Sequence, residues 1–193
     1  MTFTERIKAK SEPFFLPVVR GLARLRVHPN VVSVCGFLGV AMAGVAIGMG
    51  RTFLGGVLLA LFGPLDAVDG LLARRTNRAS TFGAFLDSTL DRYAEIALFL
   101  GLTFHFLRLG SVAGVLLSLL TLGGSLMVSY TRARAEGLGL SCKVGLFTRF
   151  ERLLALTLGL LTGWVLPVLA ALALLTHLTA FQRILHVYRE SRK

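Results

Sequence analysis

Five long stretches of this chain carry no charge: 31–49, 53–65, 96–107, 112–130 and 153–178. A helix needs ~20 predominantly apolar residues to cross a ~30 Å hydrocarbon core. The chain therefore reads as a polytopic helical membrane protein. Its charged fraction of 16% agrees, since a soluble domain of ordinary composition carries about 25%. No long linker, low-complexity tract or internal repeat divides it, so one membrane domain is expected over residues 1–193. Within it, 1–30 form a surface helix and turn, and 31–189 form a six-span bundle.

The net charge of +11 could suit nucleic acid, but the placement of the charges argues for a membrane. Arg6, Lys8, Lys10, Arg20, Arg24 and Arg26 precede the first span, and Arg74, Arg75 and Arg78 follow the second. Arg132, Arg134, Lys143, Arg149 and Arg152 lie between the fourth and fifth. Arg183, Arg189, Arg192 and Lys193 close the chain. The opposite connections hold only Arg51 and Arg108. This is the positive-inside distribution for six spans in a cell membrane with both termini cytoplasmic. The basic excess then answers to topology and anionic lipid headgroups, and no nucleic-acid partner is expected. The segment before the first span is too broken by charge for a cleavable signal.

The spacing predicts a short helix over 13–26 lying on the membrane. Phe14, Phe15, Val18, Leu22 and Leu25 share its apolar face, Arg20 and Arg24 take the other, and Pro13 suits its start. A His28-Pro29-Asn30 turn leads into the first span. The next three are expected near 52–75, 81–107 and 111–136. The last apolar stretch, 153–178, is either one long span or a hairpin; Gly163, Pro167 and the basic C-terminus favour the hairpin. Cys35 and Cys142 lack metal-ligand spacing and read as structural. His28, His105, His177 and His186 also show no ligand spacing.

Acids inside a bilayer are expensive and demand a reason. Asp66 lies roughly 22 Å beyond Arg51 at the helical rise of ~1.5 Å per residue. Asp69 follows at i+3, with Gly70 and Ala73 continuing that face. Across an Arg-rich loop, Gly83, Asp87 and Asp91 recur at i, i+4 and i+8, again one face. Four carboxylates thus converge near the cytoplasmic side. They cannot all stay ionised without cations, and hard divalent ions suit an all-oxygen set better than lysine or arginine. Two such ions ~4 Å apart can clamp a phosphate and stabilise both attacking and leaving oxygens. Intramembrane salt bridges with Arg74, Arg75 or Arg92 could explain one aspartate but not four. An ion pathway needs acids spread through the membrane depth, which the first, fourth and sixth spans lack. The small residues Gly70 and Gly83 fit either a ligand against the backbone or close helix packing.

The series Asp66-x2-Asp69-Gly70-x2-Ala73-Arg74-x8-Gly83-x3-Asp87-x3-Asp91 matches, at every fixed position, the signature of the CDP-alcohol phosphotransferase family. The resemblance extends to the architecture and to the Pro29-Asn30 turn. It implies an all-α membrane enzyme with six transmembrane helices and an N-terminal amphipathic surface helix. Asp66, Asp69, Asp87 and Asp91 would bind two Mg²⁺ or Mn²⁺ ions, and Asp91 would act as general base. Asp66, Asp69, Gly70, Ala73, Arg74, Gly83 and Asp87 would line the CDP site. A homodimer is likewise implied.

The loop after the fourth span, with Ser129, Arg132, Arg149 and Arg152, resembles the subgroup that makes phosphatidylinositol phosphate or its archaeal ether-lipid counterpart. That resemblance implies a CDP-diacylglycerol or CDP-archaeol donor and inositol 1-phosphate as acceptor. Ser129, Arg132, Arg152 and Arg183 would hold the acceptor phosphate, a task the planar guanidinium suits. Arg132 departs from the lysine commoner there. Glycerol 3-phosphate, or a soluble CDP-inositol donor, are the competing enzymatic readings. A non-catalytic scaffold or transporter is the competing class.

Overall fold

The computed structural model describes residues 3–142, 144–145 and 147–192, with side chains of 3–12 and of Phe14 excepted. The side chains of Arg6, Lys8, Lys10 and Phe14, and the whole of Lys143 and Lys193, therefore lie outside the description. The described chain is all helical: α1 (Phe3–Arg24), α2 (Pro29–Gly48), α3 (Thr52–Phe62), α4 (Leu65–Arg75), α5 (Thr81–Arg108), α6 (Val112–Gly137), α7 (Arg149–Thr162) and α8 (Val165–Glu190).

The helix boundaries follow local chemistry. Pro29 opens α2, where a missing amide is harmless. His28 caps that helix by accepting from the Asn30 amide at 3.2 Å. Ser80 caps α5 by accepting from the Gly83 amide at 3.0 Å. Thr148 and Glu151 form a reciprocal capping box at the start of α7. Gly163, at φ 79°, ends α7 in the left-handed conformation that glycine adopts freely. The last apolar stretch is thus two helices, α7 and α8, with Pro167 in the first turn of α8.

Two boundaries differ from expectation. The first helix runs from Phe3 with Pro13 and Pro17 inside it, rather than starting at Pro13. Its apolar stripe also divides. Val19 is buried against Val32, Val68 and Leu72, with Phe15 and Leu22 packed alongside, whereas Val18 and Leu25 are exposed. The face that docks on α4 is rotated from the one that periodicity alone selects. The second difference is a break in the expected 52–75 helix at Gly63-Pro64. Pro64 has no amide to bond the Ala60 carbonyl, so α3 ends and α4 starts afresh. That break leaves Asp66 in the first turn of a helix, where the dipole favours an anion.

Packing closes a ring. α2 packs on α5, α5 on α6, α6 on α8, α8 on α7, α7 on α3 and α3 on α2, while α4 leans on α2 and α1 on α4. Ile47, Leu59, Leu98, Leu102, Leu160 and Leu169 fill the centre. α2 and α5 come closest at Gly44 and Gly101, where a Cβ on Gly101 would fall on the Gly44 backbone. The outside carries Leu38, Met42, Phe104, Leu116, Leu158 and Leu174, all exposed. An apolar exterior of this extent marks a surface that meets lipid rather than water.

Among the described residues, four units are long and apolar enough to cross a membrane: Pro29–Gly48, Thr52–Arg75, Val112–Gly137 and Val165–Glu190. The two remaining ring members are exceptional for physical reasons. The first half of α5 carries Asp87, Asp91, Arg92 and Glu95, and α7 has only 14 residues. Arg108 donates to the Gly48 carbonyl at 3.1 Å, so it and the neighbouring Arg51 mark the end of the ring away from the acids.

Candidate active site

The break at Gly63-Pro64 and the helical spacing of α5 bring the acids together. One oxygen each of Asp66, Asp69 and Asp87 lies within 4.8 Å of the others. Asp69 is almost fully buried, and Asp66 and Asp87 are half-buried. Asp91, one turn beyond Asp87, lines the same small cavity of about 20 Å³. That is room for one water-sized occupant. Three oxygens of a hard, all-carboxylate set at this separation fit a divalent cation.

Asp69 is held by α2, because the Ser33 hydroxyl donates to its Oδ2 at 2.5 Å. Arg149, at the start of α7, pairs with Asp66 Oδ1 at 3.1 Å and with Asp91 Oδ1. Arg92 donates to Asp91 Oδ2 at the longer distance of 3.2 Å. The main arginine among the acids is therefore Arg149, not Arg74 or Arg75, which stay exposed on α4.

Beside the acids an open cleft of about 250 Å³ runs between α4 and α5. Asp69, Gly70, Ala73, Arg74, Gly83 and Asp87 line it, and Asn30 faces them from α2. Asp66 faces the smaller cavity next to it. The two glycines answer differently. A Cβ on Gly70 would meet only Arg74 Nη1, at 3.6 Å, so no neighbouring helix requires this glycine. A Cβ on Gly83 would press on Ser80 Oγ at 3.0 Å and Asn30 Oδ1 at 3.2 Å.

The four residues of the expected acceptor site are spread over three helices. Arg152 is buried, and its Nη2 donates to Glu95 Oε1 at 2.7 Å. Arg183 is buried, donating from Nε to the Val144 carbonyl at 2.9 Å and from Nη1 to the Val128 carbonyl. Ser129, next to Val128 on α6, is half-buried and donates to the Ser125 carbonyl at 3.3 Å. Arg132 is exposed and pairs with Glu136 at 2.8 Å. Arg132 and Arg152 both lie within electrostatic reach of Arg183.

The parts played here by Glu95, Arg149 and Ser33 went unread in sequence. Glu95 continues the Asp87, Asp91 series by another i+4 step, so its face was legible. Arg149 and Arg152 lie at i and i+3 on α7, which places both on one side. Ser33 follows Asn30 by about one helical turn, but nothing in the sequence names Asp69 as its partner.

Fold and site together define a class: a helical membrane protein whose acidic centre opens on a ligand-sized cleft. The chain belongs to the CDP-alcohol phosphatidyltransferase family, which matches residues 26–182, and it is an enzyme of that class. It is 37% identical over 186 residues to an archaetidylinositol phosphate synthase of Methanothermobacter thermautotrophicus, covering 91% of this chain and 93% of that one. It is 41% identical over 140 residues to a phosphatidylinositol phosphate synthase of Cutibacterium acnes, covering 72% and 68%. Among solved structures it resembles the phosphatidylinositol phosphate synthase of Mycobacterium tuberculosis with CDP-DAG bound. The TM-score is 0.83 at 30% identity, over 90% of this chain and 93% of that one. The same protein in complex with manganese and citrate gives a TM-score of 0.80.

Proposed function

We propose that this enzyme transfers the phosphatidyl or archaetidyl group of a CDP-linked lipid to inositol 1-phosphate and releases CMP. The observation that carries the reading is the meeting of Asp66, Asp69 and Asp87 beside a cleft lined by Gly70, Ala73, Arg74 and Gly83. Relatives named for inositol phosphate lipids support the acceptor.

In this reading the cytidine diphosphate lies in the cleft, its backbone approach cleared by Gly70 and its charge met by Arg74. Mg²⁺ or Mn²⁺ at the four aspartates, two ions in our assignment, would neutralise the diphosphate and stabilise attacking and leaving oxygens. Ser33 fixes the Asp69 carboxylate, so the acidic centre is organised before substrate arrives. Asp91 takes the proton of the acceptor hydroxyl. Its Oδ2, held only by the longer contact to Arg92, is the oxygen available for that task. The acceptor oxygen bonds to the lipid-side phosphorus, the bond from that phosphorus to the bridging oxygen breaks, and CMP leaves. Arg152 and Arg183 form the floor of the acceptor-phosphate site, with Ser129 and Arg132 at its rim. The buried Nε of Arg152 has no hydrogen-bond partner among the described residues, and a phosphate oxygen there would satisfy it.

The ring of six helices is read as six spans of a single membrane domain, with α1 on the cytoplasmic face. The basic residues near the acids, against Arg51 and Arg108 at the other end, support a reading with the site and both termini on that face. The acids and the cleft come from one chain, so the homodimer implied by the family is structural in this reading. Initial rates of CMP release with inositol 1-phosphate against glycerol 3-phosphate test the acceptor. Inositol 1-phosphate should be preferred at least tenfold in kcat/KM, about 1.4 kcal/mol. Preference for glycerol 3-phosphate or free inositol overturns the assignment.

A further inference from the structure

Glu95 is the most buried charge near the site, and the chemistry proposed above gives it no role. It is 2% exposed, and both its oxygens are engaged. Oε1 accepts from Arg152 Nη2 at 2.7 Å, and Oε2 accepts from the Ser125 hydroxyl of α6 at 2.8 Å. Its partner Arg152 is 4% exposed. An ion pair this deep is poor evidence for stability, because desolvation offsets much of its Coulomb gain. A polar network of this kind acts better as a geometric constraint.

The constraint has a direction. α5 presents Asp91 and Glu95 four residues apart, and α7 presents Arg149 and Arg152 three apart. The result is two parallel rungs between the helices: Asp91–Arg149 and Glu95–Arg152. The first rung ends in the aspartate centre. The second ends in Arg152, which lies within electrostatic reach of Arg183. Glu95 engages only Nη2 of Arg152. Nη1 makes a long contact of 3.5 Å to the Phe147 carbonyl, and the buried Nε has no partner. A guanidinium clamped at one corner, with its other donors largely uncommitted, is set to receive an anion.

We infer that Glu95 is a positioning residue. It fixes the Arg152 guanidinium, one helical turn from Asp91, so that the acceptor phosphate is placed relative to the general base. Ser125 fixes Glu95 in turn. The inference rests on the reading of Arg152 as an acceptor-phosphate ligand.

Three variants test it: Glu95→Gln, Arg152→Ala and the double variant. Each is checked for monodisperse elution in detergent and for donor KM. The amide of Glu95→Gln keeps the shape and one hydrogen bond from Arg152 but removes the negative charge, so the guanidinium loses its ion-pair partner and is held less firmly. Acceptor KM should rise roughly tenfold, with donor KM within about twofold. Arg152→Ala should raise acceptor KM about 10- to 100-fold. The double variant should be no worse than Arg152→Ala, because Glu95 acts only through that arginine. Three results overturn the inference: an unchanged acceptor KM in Glu95→Gln while Arg152→Ala raises it, additive losses in the double variant, or equal losses toward donor and acceptor. If Arg152→Ala itself leaves acceptor KM unchanged, the phosphate assignment of Arg152 is wrong and Glu95 has nothing to position. Ser125→Ala gives an independent arm. It should move acceptor KM in the same direction as Glu95→Gln, by less, and no change there also counts against the network.

Discussion

Gly70 separates a ligand site from a packing site, because its two readings predict opposite effects on stability. Glycine within a helix destabilises it by roughly 0.5–1 kcal/mol relative to alanine. A Cβ at position 70 meets only Arg74 Nη1 at 3.6 Å, an ordinary contact with the end of a flexible side chain. Gly70→Ala should therefore leave Tm unchanged or raise it. The added carbon nonetheless enters the 250 Å³ cleft from which the donor is bound. Inserting carbons into a fitted space costs about 1–3 kcal/mol. At 1.4 kcal/mol per decade, donor KM should rise roughly 5- to 150-fold, with Gly70→Leu at or beyond the upper end. Circular dichroism melts of detergent-solubilised protein give Tm. Initial rates of CMP release against donor concentration, at saturating acceptor, give KM. A Gly70→Leu protein with donor KM within twofold of the parent would refute the reasoning. So would a Gly70→Ala protein that melts several degrees lower, which is the packing result.

Gly101→Ala is the reverse case: its Cβ would strike the Gly44 backbone, which cannot yield as a side chain can, so folded yield and Tm should fall while KM values in any surviving protein stay unchanged. Asp69→Asn and Asp87→Asn should each remove most turnover and weaken Mn²⁺ binding measured by calorimetry without donor. Full activity in excess chelator would contradict the metal reading itself.

The sequence made the acids legible because intramembrane aspartates at i, i+3 and i+4 spacing have few uses, and the structure brings three of the four within 4.8 Å. The hairpin at Gly163 was legible for a similar reason, since glycine is the residue that takes φ 79° after a helix. Other features depended on tertiary contacts. Which face of α1 docks is decided by Val32, Val68 and Leu72 on other helices, not by its own periodicity. Arg149 read as one more basic residue of the loop after the fourth span, with nothing local to tie it to the acids; only the ring of helices carries it to Asp66 and Asp91. Glu95 lay in plain view as the next i+4 acid, but its meaning required Arg152 from another helix.

The most direct test of the account is a mass balance. Purified protein is given CDP-diacylglycerol or CDP-archaeol, inositol 1-phosphate and Mn²⁺, and both products are followed by mass spectrometry. The account predicts one inositol-phosphate lipid formed per CMP released, no product in chelator, and loss of both in Asp91→Asn with donor affinity retained. CMP release without a matching lipid, or an Asp91→Asn protein with undiminished turnover, would contradict transfer at this aspartate centre.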